Sequence, residues 1–171
     1  MNLVLIGYRG TGKSTVAKQV AQRLGWNVVS TDAEIVRREK RPIPDIVADR
    51  GWDYFRDVEA AVCADMGART RMVIDTGGGA ILRDANVQAL KRDGRLVWLT
   101  ASVPTIVGRI GGDTNRPSLT GTKSFTEEVQ EVLTQREPLY RAAADATVAT
   151  DGRTIEAIVT DVLRLVPDDA G

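Results

Sequence analysis

Residues 7–14 read Gly-Tyr-Arg-Gly-Thr-Gly-Lys-Ser, which places three glycines, an ammonium and a hydroxyl within eight positions. The spacing is that of the G-x-x-x-x-G-K-[ST] phosphate loop. Its glycines let the backbone turn so that successive N–H groups converge on phosphate oxygens. The loop needs a strand before it and a helix after it, and the sequence offers both. Asn2–Ile6 is a short apolar run, as in a strand buried on both faces. Val16, Ala17, Val20, Ala21 and Leu24 recur at helical spacing, and Gly25 is placed to end that helix. The helix start adds partial positive charge at the loop. In this setting Lys13 reaches the β- and γ-phosphates of ATP, and the hydroxyl of Ser14 joins the shell of Mg2+. Gly10, Thr11, Gly12, Lys13, Ser14 and Thr15 are therefore the candidate nucleotide ligands.

A phosphate loop names a nucleotide and not a reaction. The chain has no histidine, so acid–base chemistry falls to carboxylates, lysine or water. Its single cysteine, Cys63, excludes an internal disulfide and reads as a buried thiol in an apolar helix stripe. Most basic residues are arginines, whose planar forks suit carboxylates and phosphates. Arg56 has Glu59 three residues on, on one face of a helix, and taken alone the pair is equally a surface ion pair. Gly77, Gly78 and Gly79 follow a strand end; they either let a ligand approach the backbone or form a plain tight turn.

These residues need a frame, and the hydrophobic pattern supplies one. Strands are expected at 2–6, 26–29, 71–74, 96–99 and 146–149. Helices are expected at 14–24, 31–39, 43–49, 53–66, 84–91, 103–110, 127–142 and 155–165. Strict alternation predicts a three-layer α/β domain, a five-stranded parallel sheet flanked by helices, over residues 1–171. Right-handed crossovers then put every candidate at the carboxyl end of a strand. Positions 111–124 are rich in glycine and small polar residues and read as a mobile surface loop. With 171 residues, 43% hydrophobic and 27% charged, the chain has the composition of a soluble domain with a sizeable core. Zero formal net charge gives no global field toward nucleic acid or an anionic membrane. No run has the length of a membrane span, and Leu3–Ile6 is too short for a signal peptide. The expected location is cytoplasmic and the expected state monomeric.

The order of further motifs narrows the reading. S-T-D-A-E at 30–34, F-R-D-V-E at 55–59, D-T-G-G-G at 75–79, N-R-P-S-L-T-G at 115–121 and R-E-P-L-Y-R at 136–141 follow the phosphate loop. Together, from first strand to last helix, they resemble shikimate kinase. The resemblance implies a P-loop kinase fold with a lid, and transfer of the γ-phosphoryl of ATP to the 3-hydroxyl of shikimate. The product would feed the route to chorismate and the aromatic amino acids. It implies that Arg56 and Arg136 grip the substrate carboxylate, with Glu59 orienting Arg56. Gly77, Gly78 and Gly79 would meet the ring hydroxyls, and Asp32 the reacting hydroxyl. Arg116 would be the catalytic arginine of the lid over 111–124. Arg109 and Arg153 would lie near adenine, or else be solvated surface arginines.

The chain departs from that pattern at two places. The family usually writes D-T-D where residues 30–32 read Ser-Thr-Asp, so the aspartate that reaches Mg2+ through water is absent. Asp75 stands at the end of the third strand, where other P-loop enzymes hold Mg2+ with an aspartate. Either Asp75 takes over that duty, or Ser30 makes a weaker water contact and Asp75 caps the turn.

Overall fold

A computed structural model describes residues 1–111 and 124–168. Thirteen elements follow in order among these residues. They are β1 (Asn2–Ile6), α1 (Lys13–Leu24), β2 (Asn27–Ser30), α2 (Thr31–Glu39), α3 (Ile43–Gly67), β3 (Met72–Asp75), a 3-10 turn (Ala80–Leu82), α4 (Asp84–Lys91), β4 (Gly94–Thr100), α5 (Val103–Ile110), α6 (Phe125–Ala143), β5 (Ala146–Ala149) and α7 (Ile155–Leu163). Most of the expected loop, Arg116 included, lies outside the described residues.

The strands form one parallel sheet in the order β2-β3-β1-β4-β5. Central β1 is buried along its whole length, and its side chains alternate between two cores. Leu3 and Leu5 face α1 and α7 together with Val73, Val97 and Leu99. Val4 and Ile6 face the other side, where Ile74, Leu96 and Trp98 meet Phe55, Val62, Leu133 and Tyr140. This is the two-sided burial that a continuous apolar strand requires. Each such Val, Leu or Ile contributes about 1.5–3 kcal/mol when fully buried. The crossover from β1 leads to β2 on one side, and that from β4 leads to β5 on the other. Their divergence opens a crevice at the carboxyl ends of the strands.

Several boundaries differ from the sequence reading. β3 ends one residue later, so Asp75 is its last residue and pairs in register with Ser30 and Leu5. β2 begins at Asn27, because Trp26 leaves the edge and buries against the α1 core. The helices expected at 43–49 and 53–66 run together as α3, with a kink at Gly51. The 3-10 turn after the glycine triplet was not expected. α6 starts two residues earlier, at Phe125, because the hydroxyl of Ser124 accepts from the N–H of Glu127 and caps it. Cys63 is fully buried as expected, and burial pushes its thiol up to about 12. Among the described residues no helix is long and apolar enough to cross a membrane.

Gly51 sets the direction of the half of α3 that carries Arg56 and Glu59. Its backbone lies at φ 85°, ψ 170°, a region open almost only to glycine. A Cβ there would touch nothing within 4 Å, so substitution should cost backbone strain alone. Gly51→Ala is expected to lower stability by about 1–3 kcal/mol. The check is the urea midpoint, and an unshifted midpoint would mean that the kink relaxes without strain.

Candidate active site

The phosphate loop joins β1 to α1, with Gly12 in the left-handed region heading the helix. α1 has no side-chain cap and no acid in its first turn, so nothing of its own neutralises the helix start. Lys13 is buried, and its ammonium donates to the carbonyls of Gly7 at 2.8 Å and Tyr8 at 2.9 Å. The hydroxyl of Thr11 donates to the same Tyr8 carbonyl at 2.9 Å. These bonds hold the loop curled around its own lysine. Beside it lies a cavity of about 380 Å3 lined by Lys13, Ser14, Thr15, Ser30, Asp32 and Asp75 among others.

Ser14 and Ser30 at the wall of this cavity use their hydroxyls differently. The Ser14 hydroxyl donates to Asp75 Oδ2 at 2.6 Å. Ser30 instead spends its hydroxyl on α2, accepting from the N–H of Ala33 at 3.2 Å. Asp75 thus faces the phosphate loop, while Ser30 caps a helix.

The glycine triplet joins this cavity to the charged residues read from sequence. A Cβ on Gly77 would come within 2.7 Å of Asp32 Oδ1 and 3.1 Å of Glu59 Oε2. A Cβ on Gly78 would sit 3.3 Å from Arg136 Nη1, and one on Gly79 would collide with the Arg56 guanidinium. Four charged groups, from α2, α3 and α6, therefore converge on one stretch of bare backbone. Only a residue without a side chain permits that approach at 77 and 79.

Both guanidinium groups are held in place. Arg56 donates to the fully buried Glu59 at 2.9 Å and lies over the rings of Trp52 and Phe55. Arg136 is 8% exposed, with its guanidinium 6.0 Å from the Tyr8 ring centre. Arg56 and Arg136 both line a second cavity, of about 560 Å3. So the structure brings together Asp32, Arg56, Arg136 and Gly77–Gly79, next to Lys13 and Ser14. Arg109 lies against the phosphate loop, donating to the Gly10 carbonyl at 3.0 Å. Arg153 turns onto α7, donating to the Ala149 carbonyl and pairing with Asp161 at 2.6 Å.

Sequence reasoning overlooked two residues here. Thr31, fully buried, accepts from the N–H of Gly77 at 2.9 Å. Tyr140, fully buried, donates to the Gly78 carbonyl at 2.5 Å. Tyr140 stands four residues after Arg136, on the same helix face, and that spacing was the available signal.

A parallel sheet, a glycine-rich loop folded over a buried lysine, and a helix start facing a cavity define a P-loop kinase. The family model for shikimate kinase matches residues 9–167. The shikimate kinase of Rhodopirellula baltica is 42% identical, over 99% of this chain and 92% of its own. That of Nitratidesulfovibrio vulgaris is also 42% identical, over 95% and 93%. The solved structure of Acinetobacter baumannii shikimate kinase in complex with shikimate superposes with TM-score 0.91 at 34% identity, covering 96% of this chain and 91% of that one. The chain belongs to the shikimate kinase family.

The Arg56–Glu59 pair is the most exacting piece of this site, because Glu59 is sealed from water. Removing one partner of a buried pair leaves an uncompensated charge. Glu59→Gln is expected to lower stability by about 3 kcal/mol, read as a drop in the denaturant midpoint. An unchanged midpoint would mean that the Arg56 side chain holds its place without this carboxylate.

Proposed function

We propose that the protein transfers the γ-phosphoryl group of ATP to the 3-hydroxyl of shikimate, giving ADP and shikimate 3-phosphate. The observation that carries this reading is the glycine triplet, against which Asp32, Arg56 and Arg136 all pack within reach of the phosphate-loop cavity. Shikimate offers one carboxylate and three ring hydroxyls. Two guanidinium forks suit the carboxylate, backbone N–H and C=O groups at Gly77, Gly78 and Gly79 suit hydroxyls, and Asp32 suits the reacting hydroxyl. The product enters the route to chorismate and the aromatic amino acids.

In this reading the amides of Gly10–Thr15 cradle the phosphates, and the Lys13 ammonium shifts from loop carbonyls to the β- and γ-oxygens. Asp32 orients the 3-hydroxyl and accepts its proton. Phosphoryl transfer through a loose transition state asks more for alignment and charge neutralisation than for a strong base. Arg116 supplies positive charge to the transferring oxygens. Arg109 and Arg153 are assigned to the adenine side.

Ser14 and Asp75 are the residues that would hold Mg2+. The Ser14 hydroxyl and Asp75 Oδ2 face each other at 2.6 Å beside the phosphate loop. Both are hard oxygen donors, which fits the ion. Mg2+ held there would supply positive charge against the charge that develops on the transferring phosphoryl group. Ser30, occupied as a helix cap, is not assigned to the metal.

The test is ADP release in a coupled assay with Mg2+ and ATP, offering shikimate, quinate, gluconate or no acceptor. Turnover is expected with shikimate and not with the others; turnover only with another acceptor overturns the substrate assignment. Asp75→Ala is expected to raise the Mg2+ concentration needed for half-maximal turnover about tenfold or more, by loss of one charged ligand. An unaltered Mg2+ titration would reject the role of Asp75. Arg116→Ala is expected to lose turnover on the order of 10³-fold with a much smaller change in ATP affinity. Near-normal kcat in that variant would remove Arg116 from the reaction.

A further inference from the structure

We infer that Tyr140 and Thr31 are positioning residues for the acceptor, fixing the glycine turn from its two ends. The inference rests on the kinase reading above. The Gly78 carbonyl accepts from the Tyr140 hydroxyl at 2.5 Å. In a trans peptide the C=O and the following N–H point in opposite directions, so this bond turns the Gly79 N–H away from Tyr140. Gly79 is also the residue that packs on the Arg56 guanidinium. At the other end, the Thr31 hydroxyl oxygen accepts from the Gly77 N–H at 2.9 Å.

The two pins come from the elements that carry the reacting groups. Thr31 precedes Asp32 at the start of α2, and Tyr140 lies one helical turn beyond Arg136 on α6. The turn, the carboxylate and the guanidinium therefore share one frame. A glycine triplet needs such a frame, because its own backbone preferences leave it unfixed. The Tyr140 ring is held in turn by stacking on Trp98, with centroids 5.6 Å apart and planes at 25°. Burial pushes its phenol up to about 12, so it stays protonated and a donor at any working pH.

Tyr140→Phe keeps the ring and its stacking and removes the hydroxyl, which donates to Gly78 and accepts from Arg136. Thr31→Val keeps the branched shape and removes the hydroxyl that accepts from the Gly77 N–H. A bond of this kind contributes about 0.5–1.5 kcal/mol, which is about 2- to 12-fold in an equilibrium constant. Each variant is expected to weaken shikimate binding by about that factor in calorimetric titration. KM for shikimate should rise in parallel, while KM for ATP stays put. A purely structural role predicts a lower melting temperature and fewer competent molecules, with shikimate affinity per folded molecule unchanged. Wild-type affinity for shikimate in both folded variants would overturn the inference. Failure of the wild-type protein to bind shikimate at all would instead remove the substrate reading on which it rests.

Discussion

The Lys13 ammonium is buried and bonded to two carbonyls of the loop that precedes it, and much of the site follows from that constraint. An ammonium taken out of water must be solvated by the protein, and these carbonyls do it. Turning the carbonyls of Gly7 and Tyr8 toward Lys13 turns the following N–H groups the other way. The start of the loop is thus fixed before any phosphate arrives. Its shape also sets the distance to the next strand. Gly78 packs beside the Gly7 carbonyl and the Arg9 N–H, so the turn after β3 rests on the phosphate loop itself.

The proposed acceptor side depends on close approach of charge to backbone. Asp32, Arg136 and Arg56 lean on successive glycines, and the buried Glu59 offsets the guanidinium charge nearest to it. Such a cluster would be costly in a loosely hydrated interior unless each charge had hydrogen bonds or an opposite partner. Here the sheet makes that arrangement rigid. β1 and β3 are hydrogen-bonded neighbours, so the phosphate loop and the glycine turn leave from adjacent strand ends. Transfer of a phosphoryl group needs donor and acceptor aligned, and adjacent strand ends provide that alignment with little to reorganise.

The sequence made some parts of this arrangement legible and hid others. The phosphate loop stood out because its chemistry needs fixed spacing, and β1 because burial on both faces forbids polar interruption. The end of β3 was placed one residue early, since Asp75 breaks an apolar run that the strand ladder nevertheless includes. The continuity of α3 was hidden by Gly51, which reads as a break but serves as a kink. Arg56 and Arg136 could be named only from the family pattern, because two arginines 80 positions apart carry no local signal of meeting. Thr31 and Tyr140 escaped altogether. Their partners are a distant N–H and a distant carbonyl, and the helical spacing of Tyr140 from Arg136 reports only the face the two share.

The central claim is that the phosphate loop and the glycine-turn cluster work as one transfer site. Phosphorus-31 NMR of the protein with Mg2+, ATP and shikimate follows the γ-phosphate directly. The account predicts one new phosphomonoester signal, coupled to the ring proton at carbon 3, growing in step with ADP. Release of the γ-phosphate as inorganic phosphate, with shikimate left unchanged, would contradict it.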